Sequence, residues 1–489
     1  MDSAGAEIEQ REWTLSPETE YRFELDPGTT LAIKLGHGQA EVFGAEMVEG
    51  KVYLFGSECK AAVYTWRGCT IEVTGHPSTE YVSEETPMSA YANLHIALEQ
   101  MRVRALQTLH GSPSSDDGPG VHPEPPRVLV IGPENCGTTS ICKMLVNYAV
   151  RAGQNWTPLL ANMDPSQGAW AIPGTISAAP VSAPIATYSP SNPLGAAATS
   201  APTAITSNAL LPLVYWYGHG SVGKNPLLFE RLIRNLGHVM DDKWDLDAEG
   251  AVSGLIVDTP SSFASGHGTT TETRQRLIRA CVEAFKINVI LVVGHEKLNV
   301  ELQRAYGSHL TVVKIPKSGG VVELDQSYRE RVYNYQLHTY MYGQVLEPPP
   351  GVTSATIGGE APSDFILSPS STVCKFEDLI IYRIGAETMA PTSALPIGAT
   401  RAVSEMQPVR IDPSQPGSRL QNAILAVLIS PTTDENERYD EEILDLPAMG
   451  FLVVTNIDIP GRKMTILSPN QGSVIGKMAV IGTFEWQEQ

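Results

Sequence analysis

The segment 132–140 has the residue types and the spacing of a phosphate-binding loop. It reads Gly132-Pro-Glu-Asn-Cys-Gly137-Thr138-Thr139, which matches G-x-x-x-x-G-K-[ST] except that Thr138 stands at the lysine position. In such loops the glycines let backbone N–H groups wrap the phosphates, the lysine spans the β and γ phosphates, and the hydroxyl holds Mg²⁺. An apolar strand, VLVI, precedes the loop and a helical pattern follows it. We therefore predict a P-loop without its cation, and not merely a glycine turn between a strand and a helix.

The missing lysine affects binding and catalysis differently. The backbone N–H groups, the helix dipole and the Thr139 hydroxyl remain, so nucleotide binding can survive with reduced affinity. A single preorganised donor to transition-state charge is commonly worth a factor of about 10² to 10³ in rate. We therefore expect slow or absent phosphoryl transfer.

A second glycine-rich segment, 218–225, imitates the same pattern. It spaces two glycines and Lys224 like a P-loop and follows the strand PLVYWY. Asn225 cannot supply the hydroxyl ligand, however, and Pro226 comes next. The alternative interpretation, a loop that caps the next helix, is favoured here.

Two carboxylates follow apolar strands. Asp164 ends the strand PLLANMD and precedes Pro165, while Asp258 follows the apolar residues of GLIVDTP, the pattern of a Walker B strand. The carboxyl edge of such a sheet is where metal ligands and general bases lie. Both residues could instead simply begin turns.

The elements that must position these residues divide the chain into about three domains. Residues 1–110 alternate apolar and polar residues from Trp13 to about Gly75, which indicates a small antiparallel β-domain, and end in a helix, Tyr91–Leu109. A linker, 111–126, leads to an α/β domain at 127–345 with a mostly parallel sheet. Within it, the Ala/Ser/Pro/Thr-rich stretch 182–207 looks like a solvent-exposed insertion. Residues 346–489 are rich in strand patterns.

Composition restricts the function classes. The net charge of −20 repels phosphate backbones and argues against a broad nucleic-acid surface, so any RNA contact would be local. An acidic chain suits basic partners, although plain solubility explains it too. Six cysteines without CxxC spacing suggest neither zinc nor disulfides. The absence of a signal-peptide pattern and of a long apolar run predicts a soluble, intracellular protein without membrane contact.

With these pieces assembled, the chain resembles the RNA 5′-hydroxyl-kinase (polynucleotide kinase) family, in its cleavage and polyadenylation factor branch. The resemblance covers nearly the whole length. It is carried by ETEYRFEL, KAAVYTWRGC, YVSEETPMSAYANLHIALEQMR, the P-loop with NYAVRAG, DPSQG, IPGTISAAP and KIPKSGGVVELDQSYRERV.

The resemblance implies an N-terminal β-sandwich, a central P-loop kinase domain with a mostly parallel sheet, and a small strand-rich C-terminal α/β domain, with ATP between the first two. Glu20 and Lys60 would contact the base and its surroundings. Asp164 would be a vestigial general base and, with Thr139, a Mg²⁺ ligand. The residues that would surround the phosphates are Gly132, Asn135, Cys136, Gly137, Thr138, Thr139 and Ser140.

An arginine-rich lid closes on the transferred phosphate in active members of the family. Here the segment 328–343 keeps Arg329 and Arg331 but has Tyr333, Gln336 and His338 where animal kinases continue with arginines. Two separate sources of transition-state cations are therefore reduced, the P-loop lysine and the lid.

These observations predict an ATP-binding, non-catalytic subunit of cleavage factor IA in the pre-mRNA 3′-end cleavage and polyadenylation machinery, located in the nucleus. The resemblance implies, as main partner, the cleavage factor IA scaffold subunit that binds the RNA polymerase II C-terminal domain. One alternative is an active polynucleotide 5′-hydroxyl kinase in which Lys224, Lys143 or Lys317 replaces the missing cation. Another is a nucleotide-free adaptor.

Overall fold

The computed structural model of the chain describes residues 10–111, 123–191, 193–195, 212–265, 268–353, 364–385, 406–415, 417–429, 440–469 and 472–487. Most of the predicted linker, 112–122, and the second part of the predicted insertion, 196–207, lie outside the described residues.

The N-terminal strands form two antiparallel sheets. Strands such as CTIEVT bury every second side chain, because successive side chains of a strand point to opposite faces. The sheet orders are β1-β8-β3-β6 and β5-β4-β7-β2-β9, and Tyr21, Phe23, Ile33 and Phe55 fill the core between them. The strands are β1 (Gln10–Leu15), β2 (Thr19–Glu24), β3 (Leu31–Gly38), β4 (Ala40–Val42), β5 (Ala45–Met47), β6 (Val52–Phe55), β7 (Lys60–Thr65), β8 (Cys69–Thr74) and β9 (Thr79–Ser83).

A long helix, α1 (Met88–Leu109), connects this sandwich to the next domain and begins slightly before the predicted Tyr91. The hydroxyl of Tyr91 donates to the carbonyl of Pro316 at 2.8 Å, and Arg102 Nε donates to the carbonyl of Ser253 at 2.9 Å. The helix is therefore packed on the central domain along its length.

The central sheet is mostly parallel, as predicted, with the order β13-β12-β11-β14-β10-β15-β16. The runs LIVD and VILVV are fully buried because helices cover both faces of the sheet. Strand β12 (TISAAP), which pairs antiparallel with β11 and β13, was not among the predicted strands, since its small residues have little β propensity. The strands are β10 (Arg127–Ile131), β11 (Leu159–Asn162), β12 (Thr175–Pro180), β13 (Leu213–Trp216), β14 (Leu255–Asp258), β15 (Val289–Val293) and β16 (Thr311–Ile315). The helices are α2 (Thr138–Arg151), α3 (Pro226–Leu246), α4 (Ala248–Val252), α5 (Ser262–Ser265), α6 (Thr271–Ala284), α7 (Glu296–Tyr306) and α8 (Gln326–Tyr342).

The prediction that the stretch 182–207 is solvent-exposed is wrong for its described part. Ile185 and Leu194 are buried, and Asn147 Nδ2 donates to the carbonyl of Ile185 at 2.9 Å. The carbonyl of Tyr188 accepts from the N–H of Gly56 in the sandwich at 2.7 Å. Composition suggested exposure, but the segment supplies backbone acceptors and apolar side chains to the boundary between two domains.

The C-terminal residues form a third sheet, with the order β19-β24-β23-β22-β25-β20-β21. The predicted strands IIYRIG, AILAVLIS, GFLVVTNID, KMTILSP and KMAVIGTF correspond to β20 and β22 to β25. The described residues beyond 345 contain strands and one 3₁₀ helix, Asp440–Asp445. The strands after α8 are β17 (Gly343–Val345), β18 (Asp364–Ile366), β19 (Ser370–Lys375), β20 (Leu379–Ile384), β21 (Pro408–Arg410), β22 (Ala423–Leu428), β23 (Ala448–Asp458), β24 (Lys463–Ser468) and β25 (Lys477–Glu485).

A shared apolar cluster joins this third sheet to the central domain. Trp216 from β13, Leu337 from α8 and Phe451 from β23 belong to it. Within the described part of the chain, no helix has the length and the hydropathy of a membrane span. All six cysteines are buried and free.

Candidate functional site

Residues 132–137 form a tight loop between β10 and α2, and residues 138–140 begin the helix. A Cβ on Gly132 would lie 2.3 Å from Cys136 Sγ and 3.0 Å from Thr138 Cγ2, so only glycine fits there. Asn135 (φ 54°) and Gly137 (φ 85°) both have left-handed backbone, which a P-loop turn requires. Gly137 is the N-cap of α2, and no side chain caps the helix. The N–H groups of the first turn are therefore available to an anion.

Asp258 lies directly behind this loop at the end of β14. Its Oδ2 accepts a hydrogen bond of 2.5 Å from Thr139 Oγ1, and its Oδ1 is buried without a hydrogen-bond partner. Burial raises the pKa of Asp258 to about 7, against the hydrogen bond from Thr139, which lowers it, and with the charge of Asp164, which raises it further. The carboxylate is thus costly to ionise without a cation.

The oxygen set here fits Mg²⁺, which prefers hydroxyl and carboxylate ligands and keeps several positions for phosphates and water. The unpartnered Oδ1 of Asp258 and the adjacent Thr139 hydroxyl would be two such ligands. Among the described residues, no group of three or more His, Cys, Asp or Glu side chains could hold a metal alone. A Mg²⁺ ion would therefore depend on nucleotide oxygens, and Asp258 would join the predicted Thr139 and Asp164 as a protein ligand.

Asp164 follows β11 at the same sheet edge. Its Oδ1 accepts from the N–H and the Oγ of Ser166, at 3.0 and 2.7 Å, so it does begin a turn. Burial raises its pKa, while the Ser166 hydrogen bonds and the charge of Arg329 oppose the shift. The N–H of the preceding Met163 donates to the carbonyl of Asp258 at 2.9 Å, which brings the two carboxylate positions together.

The two lid arginines have different neighbours. Arg329 Nη2 lies 2.8 Å from Asn135 Oδ1 and 2.7 Å from Glu134 Oε1, both in the P-loop. Arg331 pairs with Glu58 of the sandwich instead, because positions two apart lie on opposite sides of a helix. The sequence analysis did not assign Glu134 to the site. The feature that could have indicated it is a carboxylate at one of the variable positions of the loop.

Glu20 and Lys60 already have partners inside the sandwich. Glu20 is 5% exposed and accepts from Arg22 Nε at 2.7 Å and from Thr86 Oγ1. Lys60 Nζ donates to Glu24 at 2.5 Å and lies 5.5 Å from the centre of the Tyr328 ring. Helix α8, which carries the arginines predicted for the lid, therefore begins beside Lys60.

The segment after β16 lies between the sandwich and the P-loop. A Cβ on Gly320 would be 2.7 Å from Arg22 Nε, and a Cβ on Gly137 would be 3.1 Å from Val321 Cγ2. Sequence reasoning did not assign Arg22 or Val321 to the site. The paired glycines of KSGGV were the available signal, since close backbone approach requires them.

The structure distinguishes the three lysines considered as substitutes for the missing cation. Lys143 Nζ donates to Thr187 Oγ1 at 2.7 Å, and burial lowers its pKa to about 8. Lys224 lies in a loop that caps α3, where Asn225 Oδ1 accepts from the N–H of Leu228 at 3.1 Å. Burial raises the pKa of Cys136 in the P-loop to about 11, and the charge of Lys317 opposes that shift, so Lys317 lies near the loop.

Three family models together match most of the chain. They are described as the N-terminal beta-sandwich domain of polyadenylation factor (residues 14–105), the mRNA cleavage and polyadenylation factor CLP1 P-loop (132–343) and pre-mRNA cleavage complex II protein Clp1 (367–488). The chain is 72% identical over 482 residues to the mRNA cleavage and polyadenylation factor CLP1 of Laccaria bicolor, which covers 98% of this chain and 99% of the relative. It is 34% identical over 456 residues to the polyribonucleotide 5′-hydroxyl-kinase Clp1 of Danio rerio, with 93% and 89% covered.

The fold is similar to that of a solved structure described as a wild-type Clp1p-Pcf11p (454–563) complex. The TM-score is 0.76 and the identity 24%, and the match covers 99% of this chain and 100% of that one. At this identity the likeness concerns the fold alone.

Proposed function

The chain belongs to the CLP1 family of mRNA cleavage and polyadenylation factors, and from that premise we propose that it binds ATP and Mg²⁺ without transferring phosphate. It acts as a scaffold subunit in pre-mRNA 3′-end cleavage and polyadenylation. The observation that carries the proposal is Thr138, a hydroxyl residue at the lysine position of a P-loop whose other features are retained.

Nucleotide binding rests on the groups that do not need the lysine. The uncapped start of α2 offers N–H donors and the positive end of the helix dipole to the phosphates. Thr139 and Asp258 supply oxygen ligands for Mg²⁺, with Asp164 at the same sheet edge. When bound, Mg²⁺ neutralises part of the phosphate charge. Binding of the nucleotide in front of α2 would also involve the sandwich residues near Glu20 and Lys60.

Catalytic silence rests on the missing cations. Thr138 cannot stabilise the charge that develops on a transferred phosphoryl group. Arg329 reaches the loop but is paired there with Glu134, which reduces its value as a transition-state cation. Lys143 and Lys224 are placed in other roles.

The main partner we propose is the cleavage-factor scaffold subunit that binds the RNA polymerase II C-terminal domain, with other cleavage and polyadenylation factors beside it. The solved relative is described as a complex with Pcf11p. The net charge of −20 favours basic protein partners and only weak, local RNA contact. Membership of an mRNA-processing family supports a nuclear location.

The first experiment is to denature the purified chain and identify released nucleotide by chromatography, beside a Thr138→Lys variant. We expect near-stoichiometric ATP from the unaltered chain. An empty site that fills only in Thr138→Lys would overturn the proposal in favour of a nucleotide-free adaptor.

Active 5′-hydroxyl kinase is the second candidate, favoured by the position of Lys317 near the loop and by the name of the Danio rerio relative. Phosphate transfer from labelled ATP to a 5′-hydroxyl RNA oligonucleotide tests it. Transfer by the unaltered chain that Lys317→Met abolishes and the control Lys224→Met does not would establish the kinase. We expect no transfer above background.

A further inference from the structure

The lid helix α8 is fastened to three different parts of the molecule at alternate positions. Arg329 contacts the P-loop and Arg331 contacts Glu58 in the sandwich. The third position, Tyr333, contacts the C-terminal sheet. Tyr333 and Arg329 are one helical turn apart and therefore lie on the same side of α8.

Tyr333 makes two contacts with the end of β25. Its ring is stacked on Phe484, with ring centres 5.7 Å apart and planes inclined by 21°. Its hydroxyl donates to the carbonyl of Glu485 at 3.0 Å. Burial raises the pKa of Tyr333, so the hydroxyl remains a neutral donor across the physiological range.

Phe484 is held in turn by the central domain. A Cβ on Gly174 would lie 2.5 Å from Phe484 Cε2, and one on Gly220 would lie 3.5 Å from Phe484 Cζ. The ring centres of Phe484 and Trp216 are 6.0 Å apart. Gly174, Gly220 and the indole of Trp216 therefore pack closely around the Phe484 ring.

Backbone hydrogen bonds hold the residues around Phe484 at the sheet edge that carries Asp164. The N–H of Thr483 donates to the carbonyl of Gly218 at 2.8 Å. The N–H groups of Tyr217 and Gly218 donate to the carbonyl of Gly174, and the N–H of Gly174 donates to the carbonyl of Pro165, next to Asp164. The end of β25 is thus anchored at the edge where the candidate carboxylates lie.

We propose that the Tyr333–Phe484 contact is an interdomain lock that keeps the lid helix over the P-loop. Tyr333 lies where arginine-rich lids of the family continue with arginines. In this chain that position therefore carries an aromatic contact in place of a cation, and the contact holds the lid helix. The lock should slow the exchange of bound nucleotide, and this consequence rests on the proposed function. The immobility of the lid helix does not depend on that function.

Hydrogen–deuterium exchange of the full-length chain tests the lock without any nucleotide. Phe484→Ala and Tyr333→Ala are compared with Val373→Ala, an exposed residue of the same sheet whose loss should not reach α8. Removal of either ring should make the amides 328–335 exchange about fivefold faster or more, because an aromatic pair resists local opening. The control should leave them unchanged.

Unchanged exchange in both ring variants overturns the lock, and so does a response to only one of them. If Phe484→Ala also loosens β22 to β24, Tyr333→Ala alone decides, since it leaves the sheet intact.

Release of a fluorescent ATP analogue gives the second readout, with the same three variants. We expect release to be about fivefold faster or more in both ring variants. A chain that holds no nucleotide refutes the proposed function and leaves the exchange experiment on the lid valid. Bound nucleotide that leaves at the same rate from all variants refutes the gating of exchange by the lock.

Discussion

The ionisation of Asp258 depends on whether a cation lies in front of the P-loop. The residue is buried, and one of its oxygens has no hydrogen bond. Its pKa of about 7 in the folded chain lies well above the ordinary value of 3.8 for an aspartate. Mg²⁺ would favour the charged form and offset this cost, so ionised Asp258 would be unfavourable in an empty site and would serve as a ligand in a filled one.

The raised pKa of Asp258 predicts a pH dependence of stability. Between about pH 4 and about pH 7 the folded chain holds a proton that the unfolded chain has lost, so this group lowers the free energy of unfolding as pH rises, by at most about 4 kcal/mol. Denaturant unfolding of the nucleotide-free chain at about pH 5 and about pH 7.5 measures the effect.

Asp258→Asn is the matched comparison for that prediction, because it cannot ionise. The difference in unfolding free energy between the unaltered chain and the variant should shift in favour of the variant as pH rises. A constant difference over the interval would contradict the raised pKa.

At the scale of elements, the start of each helix decides which glycine-rich loop keeps backbone N–H donors that a ligand could use. Helix α2 follows Gly137 and has no side-chain cap, whereas Asn225 caps α3 and Pro226 occupies its first turn. The first loop leaves its N–H donors for an anion, and the second satisfies one internally. The resemblance of 218–225 to a P-loop is therefore superficial.

Asn225→Ala should destabilise the chain by about 1 kcal/mol through the lost cap of α3. The nucleotide content should not change, because the cap belongs to another helix. Denaturant unfolding and chromatography of released nucleotide measure the two effects, with Lys224→Ala as a control that should alter neither. Loss of nucleotide in either variant would contradict this prediction and indicate that the loop 218–225 binds phosphate.

At the scale of the whole molecule, α2 joins the P-loop to the sandwich as well as to the central sheet. Glu41 of the sandwich accepts hydrogen bonds from Tyr148 Oη at 2.5 Å and from Arg151 Nη1 at 2.8 Å, both at the far end of α2. Arg331 of α8 also contacts the sandwich, through Glu58, and so joins the same two domains at another place. A nucleotide bound at the start of α2 would therefore stabilise a junction between domains as well as one loop.

Removal of Mg²⁺ and nucleotide should lower the stability of the whole chain. At a free nucleotide concentration of about one hundred times Kd, the stabilisation amounts to about 2.7 kcal/mol. Thermal unfolding with Mg²⁺–ATP and after treatment with EDTA measures it. Thr139→Ala, which removes a proposed metal ligand, should respond less to Mg²⁺. An unchanged Tm in the unaltered chain would contradict a structural role for nucleotide.

The sequence by itself determined the features that depend on neighbours along the chain. The P-loop, its missing lysine and the strand that ends in Asp258 are local patterns, because a strand, a tight turn and a helix start each need particular residues at fixed spacing. Continuous apolar runs likewise indicated a mostly parallel central sheet, since only strands covered on both faces are apolar throughout.

Only the tertiary structure decided which distant residues meet. It separated Arg329 from Arg331, placed Lys143 beside Thr187, buried the first part of the segment 182–207 and brought Phe484 against Tyr333. These contacts join residues far apart in the chain and depend on the packing of whole domains. No local pattern encodes that packing, because an arginine, a lysine or a tyrosine can lie at the surface or be held by a partner at a domain boundary, and the partner comes from a distant part of the chain.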